Sequence, residues 1–75
     1  MQIENLGSNQ TAIYLANGTK VVFSYSTPVA AFIPGTGLVK TGTRYSVTTT
    51  RHVNRFVDGR PCAVVDQSVL DALGA

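Results

Sequence analysis

Thr11-Ala12-Ile13-Tyr14-Leu15-Ala16-Asn17-Gly18-Thr19-Lys20-Val21-Val22-Phe23-Ser24-Tyr25-Ser26 is the stretch that decides the fold. The runs Thr11 to Leu15 and Thr19 to Ser26 favour β-branched and aromatic residues, and Asn17-Gly18 between them is the strongest short hairpin signal. Asn tolerates positive φ and Gly adopts it freely, so the pair predicts a type I′ turn that sets the register of two antiparallel strands. Along the second strand Val21, Phe23 and Tyr25 point one way, and Lys20, Val22, Ser24 and Ser26 the other. That alternation predicts one core face and one largely wet face.

Beyond the hairpin, Pro28 removes a ladder donor and predicts a bend or edge before the apolar run Val29 to Ile33. Pro34-Gly35-Thr36-Gly37 reads as a turn. Leu38 to Lys40 and Arg44 to Thr48 read as a further strand, interrupted or bulged near Gly42, with Tyr45 and Val47 on one face and Arg44, Ser46 and Thr48 on the other. The period then changes, because Val53, Phe56 and Val57 are spaced as on a helix, with Thr49 or Thr50 as N-cap and Asp58-Gly59 as terminator. Arg60-Pro61 prevents its resumption, and a short apolar segment follows. Asp66 then caps a last helix, Val65 and Leu70 make a hydrophobic staple, Val69, Leu70 and Leu73 share a face, and Gly74 ends it. The expected fold is α+β: a small antiparallel sheet of four or five strands, a short helix after the main sheet and a C-terminal helix, in one domain over residues 1–75.

With 75 residues the chain is small, and such a domain buries only about 60% of the surface its unfolded chain exposes. Stability is therefore expected to be modest unless the chain self-associates. Charged residues make up 13% of the chain and hydrophobic ones 44%, a balance opposite to that of a disordered tail. A surface so poor in charge suits a cognate protein or a second copy of the chain. Six Lys and Arg against four acids give a net charge of only +2, a weak electrostatic argument for nucleic acid. Met1 to Asn5 lacks the basic start and apolar segment of a secretory signal, and no stretch approaches a membrane span. The single Cys62 forms no internal disulfide and sits in an apolar run, which predicts a buried small hydrophobe in a reducing cytoplasm. Without a secretory signal the sequon Asn17-Gly18-Thr19 is turn chemistry, not a glycosylation site.

No familiar catalytic set emerges. Gly35-Thr36-Gly37-Leu38-Val39-Lys40-Thr41 superficially resembles a phosphate-binding loop, but Val39 stands where a glycine should precede the lysine, and no helix follows to supply an anion hole. One His, one Cys and four carboxylates (Glu4, Asp58, Asp66, Asp71) leave too few ligands for a zinc site once two aspartates are assigned to helix ends. Cys62 and His52 lack a third orienting group. None of the acids forms a recognisable acid and base pair. A non-catalytic protein without cofactor or metal is expected.

The most informative stretch runs from Tyr45 to Phe56. On its helical part Arg51, Arg55 and His52 lie together, opposite Val53, Phe56 and Val57, with Asn54 and Asp58 on the flank beside Arg51. Arg44, Thr48, Thr49, Thr50, Arg51, His52 and Arg55 form the candidate binding set, a strand-to-helix junction with cations and hydroxyls at a helix start, suited to phosphate, nucleic-acid backbone or an acidic protein surface. Against it stands the plainer reading of a solvated helix face, capping threonines and a structural His52. Tyr14, Tyr25 and Tyr45 fall on predicted strands and would suit a single-strand nucleic-acid platform. The alternation instead assigns Tyr25 to the core with Val21 and Phe23.

Two segments carry a resemblance: Phe23 to Ala30, and Tyr45 through Phe56. Ser24, Tyr25, Thr27, Pro28, Val29 and Ala30, then Tyr45, Ser46, Thr48, Thr49, Arg51, His52, Val53 and Asn54, resemble position by position the pattern Ser-Tyr-x-Thr-Pro-Val-Ala and Tyr-Ser-x-Thr-Thr-x-[Arg/Lys]-His-[Ile/Val]-Asn of a small domain family of unknown function in bacteriophages and related mobile elements. The resemblance covers roughly residues 23 to 56 and carries no activity with it. It implies a small phage protein made in the cytoplasm of an infected bacterium. The functional expectation is an accessory protein that binds a host or phage protein, as a single chain or a homodimer, through an exposed sheet edge or the Arg51, His52, Arg55 face. The alternative is a nucleic-acid binder using Lys40, Arg44, Arg51, Arg55 and Arg60.

Overall fold

The computed structural model describes residues 2–7, 9–43 and 45–73. Arg44, expected on a strand and in the candidate binding set, and Gly74, expected to end the last helix, lie outside these. Six strands, β1 (Gln2–Gly7), β2 (Gln10–Tyr14), β3 (Lys20–Ser24), β4 (Thr27–Ile33), β5 (Gly37–Thr41) and β6 (Cys62–Val65), form one sheet in the order of the chain. The first five are an antiparallel meander. Helix α1 (Val47–Val57) then crosses over to β6, which pairs parallel to β5, and α2 (Gln67–Leu73) follows. The sheet is thus larger than the expected four or five strands, and mixed. The extra strands are β1, a polar run with no strong β signature, and the apolar segment after Arg60-Pro61.

The predicted hairpin forms, but not with a type I′ turn. Among Ala16, Asn17 and Gly18 only Gly18 has positive φ, at 90°. The Gly18 N–H donates to Leu15 O at 3.1 Å and the Leu15 N–H to Thr19 O at 2.8 Å, the pattern of a three-residue loop with the glycine in a bulge. Asn17 acts through its side chain, whose Oδ1 accepts from Thr19 N at 3.0 Å.

The largest correction concerns the two faces. Val21 and Val22 are both fully buried, although they point to opposite sides of β3. Val21 joins Ala31, Val39 and Leu70 in a cluster ringed by Ile13, Leu15, Phe23, Ile33, Val65 and Leu73, beneath α2. Val22 joins Ala12 and Ala30 beneath Phe56 of α1. The small residues Ala12 and Ala30 let α1 sit close to the strands. The crossover accounts for the helix on one face and the return after β6 for the helix on the other, so the face expected to be wet is core.

Pro28 lies inside β4 and is buried. Val22 pairs with Ala30 but Phe23 with Pro28, so Val29 is one residue in excess, a β-bulge that absorbs the missing donor. Tyr25 is not core. It occupies the turn before β4 with φ of 59° and is 55% exposed, its N–H donating to Asn9 O at 2.6 Å.

The segment expected as strand through Thr48 is already helical from Val47, and the N-cap is Ser46, not Thr49 or Thr50. Ser46 Oγ accepts from Thr49 N at 3.1 Å, and Thr50 N donates to Ser46 O at 3.0 Å. The β-branched Val47, Thr48 and Thr49 resemble a strand in sequence; the cap overrides that preference. At the other end Asp58 itself takes the left-handed conformation, followed by Gly59 at φ 74°. In α2, Leu70 is buried and Leu73 half-buried, but Val69 is 42% exposed and does not share their face as expected.

Candidate functional site

Three hydroxyls and an imidazole tie α1 to the sheet. Ser46 Oγ donates to Thr49 Oγ1 at 3.2 Å, Thr49 Oγ1 meets Ser24 Oγ at 3.0 Å, and Ser24 Oγ meets His52 Nδ1 at 2.7 Å. One proton order satisfies all four groups with a neutral ring: Ser46 to Thr49, Thr49 to Ser24, Ser24 to Nδ1, leaving the ring proton on Nε2. Ser24 and Thr49 are buried, so the chain of bonds is a strut between β3 and the first two turns of α1. His52 is half-buried, its ring centroid 6.4 Å from that of Tyr25. The two sequence motifs are therefore one unit in space: Ser24-Tyr25 of the first meets Thr49 and His52 of the second.

The predicted set is accordingly split. Thr49 and His52 turn inward as parts of the strut, so His52 does not join Arg51 and Arg55 on one basic surface. Thr48, Thr50, Arg51 and Arg55 are exposed. Thr50 Oγ1 donates back to Ser46 O at 3.0 Å. Arg51 and Arg55, one helical turn apart, have neither an ion pair nor a hydrogen bond among the described residues. Arg60 is spent on capping: its Nε donates to Val57 O at 3.0 Å and its Nη2 to Phe56 O, closing the end of α1. Cys62 is half-buried, not sealed in the core. Burial pushes its thiol above the usual cysteine range while nearby Lys40 pulls it back, so it is a weak nucleophile near neutral pH.

Two hollows flank α1. One, of about 280 Å³, lies between the helix and the β6 edge, with Lys40, Thr50, Val53, Asn54 and Val64 in its walls and Tyr45 at its rim. The other, of about 600 Å³, lies at the C-terminal end of α1, against Tyr14, Lys20, Phe32, Leu38, Arg55 and Phe56. Lys20 holds its Nζ 5.1 Å from the Tyr14 ring centroid and 5.6 Å from that of Phe56, and 3.8 Å from Glu4 Oε1. Sequence reading missed this second hollow. It assigned the Lys20 face to solvent, so nothing brought Lys20, Phe32 and Arg55 together.

The Ser24→Ala variant tests the strut. It removes the acceptor of the Thr49 hydroxyl proton and the donor to His52 Nδ1 beneath α1, and leaving buried groups unpaired costs about 1–3 kcal/mol. Urea unfolding reads the loss directly; a change below about 0.5 kcal/mol, typical of unremarkable surface positions, would show that the bonds do not hold the helix.

Fold and site together define a small α+β domain: a mixed six-stranded sheet between two helices, one of them pinned by a buried polar chain. The chain belongs to a family of unknown function (DUF8033), whose model matches residues 1–71. No curated protein and no solved structure matches it. Among the described residues no helix is long and apolar enough to cross a membrane, and no three His, Cys, Asp or Glu side chains gather as a metal site.

Proposed function

We propose that this protein is a non-catalytic, phage-type accessory protein that binds an extended segment of a host or phage protein by strand addition at β6. The observation that carries the reading is the character of that edge. Cys62-Ala63-Val64-Val65 holds no charge and no proline, and Val64 is 63% exposed. Edge strands of soluble proteins are usually blunted by such residues, and this one is not. Tyr45 at 46% and Val47 at 72% exposure extend the apolar surface across the start of α1.

An added strand would bond to the outer edge of β6 through its main chain. Its alternate side chains would fall beside Val64, toward the 280 Å³ hollow, so the hollow supplies specificity. The phage assignment and a cytoplasmic setting rest on the resemblance of the Ser-Tyr and Ser-x-Thr-Thr-x-Arg-His segments.

A photo-crosslinking side chain placed at Tyr45 in bacterial cells tests the reading. The expected result is a discrete adduct that Val64→Lys reduces roughly tenfold, the scale of one lost interface contact of about 1.4 kcal/mol. Absence of a discrete adduct, or one indifferent to Val64→Lys, removes strand addition at this edge.

A further inference from the structure

The hollow at the C-terminal end of α1 is built differently from the β6 edge, and its chemistry does not depend on what that edge binds. Its floor is the α1 face of the sheet, where Tyr14 pairs with Lys20, Lys20 with Phe32 and Phe32 with Leu38 across neighbouring strands. The Tyr14 and Phe56 rings already have a cation over them: Lys20 over both, and Arg60, with Cζ 5.8 Å from the centroid, over Phe56. Phe32 differs. It is 41% exposed and has neither a ring nor a cation contact among the described residues. An aromatic ring on an open sheet face, with no ring or cation partner among the described residues, is a stacking surface for a flat ligand.

The charges around it have one sign in excess. Lys20, Arg55 and Arg60 line the hollow, and no acid among the described residues does. Glu4 offsets Lys20 from outside, at 3.8 Å, and Arg60 gives two of its donors to the helix end. Arg55 remains uncompensated, and Arg51 lies one turn behind it on the same side of α1, extending a cationic track away from the ring. A ligand that fits has a flat ring joined to repeated negative charge. Neutral aromatics leave Arg55 unanswered, and a bare anion leaves Phe32 uncovered.

We infer that this hollow binds single-stranded nucleic acid, with one base stacked on Phe32 and the adjoining phosphates met by Arg55 and Arg51. Duplex is excluded by the same geometry, because its bases are already stacked on each other and offer no free face to the ring. The contact is with the backbone and the face of a base, so little sequence preference follows.

Fluorescence anisotropy with labelled oligothymidylate of about ten nucleotides, within the usual site sizes of single-strand binders, tests the inference. Two variants separate its parts. Phe32→Ala removes the stacking ring and is expected to weaken binding roughly thirtyfold, the middle of the range of about 1–3 kcal/mol for losing one stacked base. Arg55→Glu, at an exposed position with no ion pair or hydrogen bond among the described residues, reverses the phosphate contact and is expected to weaken it at least as much. The logarithm of the affinity should fall with that of salt at a slope of about −1.4, from about −0.7 per phosphate for two phosphates. Thermal unfolding of both variants alongside the parent chain identifies any loss that comes from misfolding, and Arg55→Glu stands as the deciding variant if Phe32→Ala unfolds. The inference is overturned by no binding at about 10⁻⁴ M protein, the weak end of non-specific affinities. Equal affinity for duplex, an unchanged affinity in folded variants, or a mononucleotide that binds as tightly as the oligomer overturns it equally.

Discussion

Val22→Asp is expected to leave the chain unfolded in water, with its native circular dichroism lost and no cooperative urea transition. Val22 has no exposed surface and lies between Ala12 and Ala30 under Phe56. An ionised carboxylate there has no partner, and the effective penalty for an unpaired buried ion is several kcal/mol. Total stability for 75 residues is on the order of 4–11 kcal/mol, so one such penalty consumes most of it. The matched control is Val64→Asp, on the same face of the sheet but at its exposed edge, where a change of about 0.5 kcal/mol is expected. Similar, small losses at both positions would mean that α1 does not cover the sheet.

The second large effect is at Leu70. This is the largest fully buried side chain and the contact by which α2 meets Val21, Ala31 and Val39. Leu70→Ala is expected to cost about 3 kcal/mol, near the low end of measured buried Leu→Ala changes. A seven-residue helix does not persist alone. Its other anchors are Leu73 and the bond from Gln67 Nε2 to Pro28 O at 2.7 Å. The urea midpoint should fall accordingly, whereas Val69→Ala, at a position 42% exposed, should move it little. Comparable losses at the two positions would contradict the side of α2 that faces the sheet.

These effects mark where sequence reading stopped. The alternation of Lys20, Val21, Val22, Phe23 and Ser24 correctly puts successive residues on opposite faces. It carries no information on whether a second layer covers the polar-looking one. A lone Val22 between Lys20 and Ser24 looks like a tolerated surface valine until α1 lies over it. Ser24 illustrates the same limit, since a strand serine reads as solvated until Thr49 and His52, 25 and 28 residues away, arrive to bond it. Of the candidate set, the exposed Arg51 and Arg55 were legible because helical period alone places them opposite Val53 and Phe56. The inward turn of His52 was not, because at the border of two faces the period leaves its side open and the partner on β3 decides it.

What the sequence by itself determined is local: a hairpin about Asn17-Gly18, a helix with Val53 and Phe56 inward and two arginines outward, a stop at Asp58-Gly59, and a last short helix carrying Leu70. Each follows from interactions within a few residues, where turn chemistry, caps and periodicity act. The tertiary structure decided the rest: the glycine bulge in place of a type I′ turn, Ser46 as the cap, β6 as a parallel sixth strand, and burial of the sheet on both sides. The physical reason is that burial and long-range pairing are properties of two surfaces together, and Val22, Ser24, Phe32 and Val64 acquire their roles only from what the crossover through α1 brings beside them or leaves bare.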